Sequence, residues 1–244
     1  MFPWLSRAWI AALLAAWLAC VQVTAMASGL QVSPIGLQLA ANAQADALWL
    51  TNTGTNTIQA QVRVFRWTQV DGKDRLEPTR DLIVSPPMIS VAPGDRQLIR
   101  VIRSVDAPVG TELAYRVLVD ELPLDQEAKP GLRFVLRYSI PIFLVPSDGA
   151  KTATLRATWR DGPDGTALEV RNSGSGHAQI ADLAIVGAQN NRTVLLPGLV
   201  GYALPGSTMS WRVPPQSNPR GGAVRARING EVSESTLTVD ADGR

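Results

Sequence analysis

Cysteine and histidine are almost missing from this chain: one of each in 244 residues, Cys20 and His177. That leaves almost no material for a zinc site, a Cys–His pair, or any Ser–His–Asp arrangement that does not use His177. An excess of one charge is missing too. Twenty-three basic residues face 21 acidic ones, a formal charge of +2, whereas a nucleic-acid binder shows a basic surplus or clustered basic runs. Asp161, Asp164 and Asp182 do not have the spacing of a calcium loop, and no recognisable paired-carboxylate motif is present. His177, after Gly174-Ser175-Gly176, reads as an incidental loop residue. Helical periodicity is scarce. What is present is apolar material, 45% of the chain. That is enough for a real core, and the length exceeds that of one small β-sandwich.

The first 27 residues read as a secretory signal peptide. Arg7 supplies the positive start, Trp9 to Val23 the apolar stretch, and Ala25-Met26-Ala27 the small residues of a cleavage site. The apolar run is short for a spanning helix, which needs about 20 residues. Trp17-Leu18-Ala19 before Cys20 is a poor lipoprotein signal. Cleavage after Ala27 would leave no cysteine in a compartment that permits disulfides, so stability must come from packing.

From there on the chain reads as all-β. Ala47–Thr51, Gln59–Trp67, Gln97–Arg103, Ala114–Leu122 and Leu132–Val145 are rich in strand-forming residues. Asn52-Thr53-Gly54, Asp71-Gly72, Pro93-Gly94, Asp161-Gly162 and Asp164-Gly165 punctuate them as turns. Pro123–Gly131 reads as a polar loop, and Trp49, Trp67, Trp159 and Trp211 as core residues inside strands. The chain also echoes itself. Leu50-Thr51-Asn52-Thr53-Gly54 resembles Val170-Arg171-Asn172-Ser173-Gly174, and Pro93-Gly94 with Arg100-Val101 resembles Pro205-Gly206 with Arg212-Val213. Two ordered matches predict a duplicated sandwich of ~100 residues. The expected division is a signal peptide at 1–27, a first domain at 28–146 and a second at 147–244.

Leu132–Val145 is the most patterned segment. Leu132, Phe134, Leu136, Tyr138, Ile140, Ile142 and Leu144 share one parity, so they share one face of an extended strand. The run is longer than the usual strand of about 3–10 residues. Pro141 lacks an N–H, which places it at an edge or bulge. Two readings stay open on pattern alone. One is a strand kept available for pairing with another chain; the other is an ordinary core strand.

Several stretches together carry a family resemblance. They are Val32-Ser33-Pro34, Leu50-Thr51-Asn52-Thr53-Gly54, Val84-Ser85-Pro86-Pro87, Val91-Ala92-Pro93-Gly94 through Arg100-Val101, and Tyr115-Arg116-Val117-Leu118-Val119-Asp120-Glu121-Leu122-Pro123, followed by the alternating strand. In that order they resemble the periplasmic pilus chaperones of the chaperone–usher pathway, over Leu30 to Leu237. The resemblance implies two immunoglobulin-like β-sandwich domains in tandem, set at an angle, with no catalysis, no cofactor and no metal. It implies pilus or fimbrial subunits and an outer-membrane usher as partners, with no nucleic acid and no small-molecule substrate. It leaves open a self-capping dimer of the free protein.

By position, the resemblance makes Leu132, Phe134, Leu136 and Tyr138 the donor strand that completes a subunit's sandwich. The usual basic pair that holds the subunit's C-terminal carboxylate falls at Gln38 and Pro141, neither a cation. That departure, with the Tyr115–Pro123 stretch, looks more like the archaic branch. Another cation must then serve: Arg116, on the strand beside the donor strand, or Arg137. Arg100 and Glu112 align with a pair that bridges the two domains, and Asn218 falls near the place of its third member. Two other readings compete. A pilus subunit or surface adhesin should show one incomplete domain with a donor tail, often with a disulfide. A secreted carbohydrate-active enzyme should show the carboxylate pair that is missing here.

Overall fold

The structure is a computed structural model that describes residues 29–123, 135–149, 151–215 and 220–240. The expected signal peptide, donor candidates Leu132 and Phe134, Asn218 and most of the Pro123–Gly131 loop lie outside the described residues. Every regular element among those described is a strand. In chain order they are β1 (Leu30–Ser33), β2 (Leu37–Leu39), β3 (Ala45–Asn52), β4 (Ile58–Val70), β5 (Lys73–Pro78), β6 (Leu82–Ser85), β7 (Met88–Val91), β8 (Arg96–Arg103), β9 (Leu113–Leu122) and β10 (Arg137–Leu144). They continue as β11 (Leu155–Gly162), β12 (Gly165–Asn172), β13 (Ala178–Val186), β14 (Arg192–Ala203), β15 (Thr208–Arg212), β16 (Ala223–Ile228), β17 (Glu234–Thr236) and β18 (Thr238–Val239).

Four sheets form two sandwiches. In the first, β1-β3-β8-β6 faces β2-β10-β9-β4-β5, with β7 also paired to β4. In the second, β15-β12-β11-β18 faces β14-β13-β16-β17. Period-two alternation supplies each core. Leu48 and Leu50 of β3, Ile99 and Val101 of β8, Val117 and Val119 of β9, and Ile140, Ile142 and Leu144 of β10 all point inward to one cluster. Trp159, Leu168, Val170, Ile180, Leu183 and Val224 belong to the other. Of the four tryptophans expected inside strands, Trp67 and Trp159 are buried and Trp211 packs against the second core. Trp49 departs from expectation: it lies on the outward parity of β3, partly exposed, with the Arg96 guanidinium 4.3 Å from its ring. In a two-layer sandwich only one parity reaches the core.

The internal echo is structural as well as textual. Asn52 and Asn172 close their strands, and both are fully buried. Asn52 Oδ1 accepts from Gly54 N–H at 2.9 Å, while its Nδ2 donates to the Asn56 and Val91 carbonyls. Asn172 repeats this with Gly174, Gly176 and Ala203, and also accepts from Thr154 N–H. The Pro-Gly turns meet them: Gly94 N–H donates to Asn52 O and Gly206 N–H to Asn172 O, at 2.8 and 2.9 Å. The same local chemistry therefore ties the same corner of both sandwiches.

One hairpin leaves its own sandwich. At Asp71-Gly72 both residues have positive φ, 52° and 70°, and Val70 pairs Lys73. This is the two-residue primed turn that suits twisted strands. Its tip forms a parallel bridge from Gly72 to Met209 of β15.

The clamps give a direct prediction. Asn52→Ala or Asn172→Ala leaves several buried backbone groups unpaired and should destabilise the protein by about 3 kcal/mol. Denaturant unfolding measures this; a loss below about 0.5 kcal/mol, the range of neutral surface changes, would show that the clamps are redundant.

Candidate functional site

The Glu121 N–H donates to the Leu136 carbonyl at 3.0 Å, and that bond sets the phase of β10. Even-numbered residues bond to β9, and the odd-numbered Arg137, Ser139, Pro141 and Phe143 aim their backbone groups at the opposite edge. β2 covers that edge only at Ile142–Leu144. Over Arg137–Ile140 the edge is open among the described residues, and opposite Pro141 stands Gly36, just before β2. Pro141 has no N–H, so its place on the outward phase sacrifices no ladder bond.

The odd parity also faces the second sandwich. Trp67 of β4, Ala114 of β9 and Phe143 of β10 pack with Leu204 and Tyr202 in a small third core. His177 stacks on Phe143 with ring centres 3.5 Å apart and planes 2° from parallel. Its Nδ1 lies 2.7 Å from Glu112 Oε1, and its backbone N–H donates to the same oxygen at 3.2 Å. A carboxylate can only accept, so Nδ1 carries the proton. Gln69 completes the contact by mimicking a strand: Nε2 donates to Tyr202 O at 2.9 Å and Oε1 accepts from Leu204 N–H at 2.8 Å.

Two sequence expectations change here. Glu112 does reach across to the second sandwich, but its partner is His177 and not Arg100. Arg100 is exposed on β8, in the other sheet, opposite Ala47 and Ser85. His177, read as an incidental loop residue, is a stacked and hydrogen-bonded part of the contact. Nothing in its own neighbourhood of glycines and serines signalled this; the partners come from residues 112 and 143.

Arg116 projects from β9 on the same face. Its guanidinium lies 3.7 Å from the Trp67 ring centre and 5.1 Å from that of Tyr202. It reaches over β10 to donate to Ser139 O at 3.4 Å, which puts the cation at the open edge. Among the described residues no carboxylate lies within ion-pair distance of it. Burial lowers its pKa, and Tyr202 and Asp74 partly oppose that shift. Asp74 itself accepts from Trp67 Nε1 and Gln69 Nε2, both at 2.9 Å. A cavity of about 360 Å³ opens in front, lined by Ile35, Arg116, Pro141, Leu199, Tyr202 and Trp211 among others.

The remaining candidates divide. Arg137 donates to Asp120, which also accepts from Arg63 at 2.7 Å, so the two arginines share one carboxylate. Tyr138 packs on the first core and its hydroxyl donates to Leu30 O, which commits it to this chain's own sandwich. Leu136 is 38% exposed at the start of the strand. Gln38 accepts a hydrogen bond from Lys151 at 3.3 Å.

Residues 29–150 match the model of the pili and flagellar-assembly chaperone family, PapD N-terminal domain. The chain belongs to this chaperone family. Among solved structures it is similar to a chain of the CsuC–CsuE chaperone–tip adhesion subunit pre-assembly complex, from archaic chaperone-usher Csu pili of Acinetobacter baumannii. That match is 26% identical with a TM-score of 0.69, covering 87% of this chain and 99% of that one. The YadV chaperone is 19% identical with a TM-score of 0.61, over 86% of this chain and 100% of that one. The Salmonella enterica SafA pilin–SafB chaperone complex gives 18% and 0.63, over 86% and 96%. At those two identities the likeness is one of fold. No curated protein matches the chain.

The ion cluster beside the chaperone's open edge makes an acid-sensitive feature. Burial alone would raise the Asp120 pKa, but Arg63 and Arg137 outweigh it and hold the carboxyl below its ordinary value. A depressed carboxyl stabilises the fold above its unfolded pKa, about 4, and that contribution is lost as pH falls through the folded value. Protection of the Glu121 amide against hydrogen exchange should therefore fall on acidification through this window in wild type. In Asp120→Asn it should be low from the start and nearly flat; an unchanged wild-type profile in the variant would show that Asp120 does not hold this edge.

Proposed function

We propose that this protein is a periplasmic chaperone of the archaic chaperone–usher branch. It binds pilus subunits by lending them the strand that leads into β10, and it delivers them to an outer-membrane usher. The observation that carries this reading is the edge of β10 that is open over Arg137–Ile140 among the described residues, ending beside Arg116. The residues before it, Leu132, Phe134 and Leu136, continue the inward parity of Tyr138 and Ile140. Each such side chain buried in a partner's groove contributes roughly 1.5–3 kcal/mol before ordering costs.

The direction of the bound strand follows from where the edge stops. Gly36 and β2 block it from Pro141 onward, so an added strand must end opposite Ile140. A strand running parallel to β10 brings its C-terminal carboxylate there, next to Arg116. An antiparallel strand would bring a positive amino terminus to the same cation. Arginine's planar fork grips a carboxylate through two hydrogen bonds, and the Trp67 ring holds the guanidinium plane in place. The Csu complex, whose description joins a chaperone to a tip adhesion subunit, supports this reading, as does the family match. The N-terminal signal segment supports a periplasmic location with cleavage after Ala27.

Co-expression with subunits from the same source tests this. Wild type should yield a soluble one-to-one complex from the periplasm, and the Leu132/Phe134/Leu136→Ser variant should yield none. Arg116→Ala should recover roughly tenfold less, the equivalent of one charged hydrogen-bonded contact. Equal capture by the triple variant would make the alternating segment an ordinary core strand and favour the adhesin reading.

A further inference from the structure

We propose that the outer face of the second sandwich carries an oxyanion site, built on Arg156 and Arg171, that takes the phosphate group of a small phosphate ester. The site shares no residue with the cleft beside Arg116, and it does not rest on the strand-lending reading.

Alternation places the residues. Ala157 and Trp159 of β11, with Leu168 and Val170 of β12, point into the second core. Arg156, Thr158 and Arg160 of β11, with Glu169 and Arg171 of β12, therefore stand on the outward face. The register sets Arg156 directly opposite Arg171. Side chains so paired leave Cβ atoms about 4.5–5.5 Å apart, and like charges at that spacing repel. Carboxylates offset part of this. Asp240 accepts from Arg156 at 2.9 Å, and Glu169 accepts from Arg160 at 3.1 Å. Among the described residues no carboxylate lies within ion-pair distance of Arg171. The surplus positive charge of the group is therefore at Arg171.

An exposed arginine by itself is ordinary surface. This one lines a cavity of about 410 Å³ together with Arg156 and Arg160. Every residue that lines it is polar or charged, and Thr158 and Ser173 add hydroxyl groups. That lining suits a hydrogen-bonding anion and not an apolar ligand. A guanidinium grips a phosphate through two parallel N–H···O bonds. An anion held between Arg156 and Arg171 replaces their mutual repulsion with attraction to a shared charge. The volume falls within the range of small-molecule sites, about 300–1,000 Å³. It leaves room for the alcohol part of the ester, whose hydroxyls can donate to Glu169 and Asp240. A soluble phosphate ester and a phospholipid headgroup share this chemistry.

The test uses the purified mature chain. Its ligands are glycerol 3-phosphate, glycerol as the uncharged control, and vesicles of phosphatidylglycerol or of phosphatidylcholine. Titration calorimetry reads the soluble ligands and co-sedimentation reads the vesicles. Glycerol 3-phosphate should bind and glycerol should not. Arg171→Gln should weaken binding at least roughly tenfold, as expected for loss of one charged hydrogen-bonded contact. Arg171 is exposed, so the substitution leaves the core intact. Arg100→Gln removes the same charge from an exposed position on the first sandwich and should change nothing. Binding to phosphatidylglycerol vesicles that needs Arg171 and not Arg100 supports the site with a lipid headgroup as its source. Binding of the soluble ester alone supports it with a free phosphate ester. If neither the ester nor the vesicles bind, the proposal is overturned. It is equally overturned if Arg171→Gln binds as wild type does, or if Arg100→Gln weakens binding as much, because the attraction is then diffuse charge and not a site.

Discussion

A strand edge left without a partner exposes a row of N–H and C=O groups that another chain can pair with, and natural sheets cover or shorten such edges. Here the covering strand, β2, pairs with only three residues of β10. That shortness governs the rest of the site. Among the described residues it leaves Arg137–Ile140 uncovered, and the point where that edge closes lies beside Arg116. A β2 two or three residues longer would close the edge, and the same β10 would be a plain interior strand.

The cleft exists because the two sandwiches hold one another at a defined place. The contact is mixed in character: an aromatic cluster of Trp67, Phe143 and Tyr202, the His177 ring stacked on Phe143, and polar links through Glu112 and Gln69. Stacked aromatic pairs contribute about 0.5–1.5 kcal/mol beyond area burial, and a hydrogen bond to a charged group roughly 1.5–3 kcal/mol. Directional polar bonds add what apolar burial does not, a specific orientation. Arg116 depends on this contact, because one of its two aromatic neighbours comes from each sandwich.

Much of the fold was legible in the residues. Alternation of Leu48/Leu50, Val117/Val119 and Ile140/Ile142/Leu144 is a local property of strands, and it names the core face directly. The Asn-x-Gly and Pro-Gly echoes were legible because turn chemistry is local as well. Arg116 was named for its adjacency to the alternating strand, and that adjacency is what the structure shows. Glu112 was placed at the domain junction, but with the wrong partner. His177 and Gln69 were missed, since each acts across the domain contact through residues more than thirty positions away in the chain. Trp49 was misassigned because hydrophobicity shows that a ring is apolar without showing which parity meets the core.

By itself the sequence determined the all-β class, the two-fold repetition with its Asn-x-Gly and Pro-Gly turns, and the alternation that gives β10 its core face. All of these follow from short-range periodicity and turn stereochemistry. Only the tertiary structure decided that, among the described residues, β10 has an open edge over Arg137–Ile140, that Arg116 lies beside it stacked on Trp67, and that His177 joins Glu112 across the domain contact. These depend on strand pairing and on which faces meet, and residues far apart in the chain become neighbours only when the sheets close.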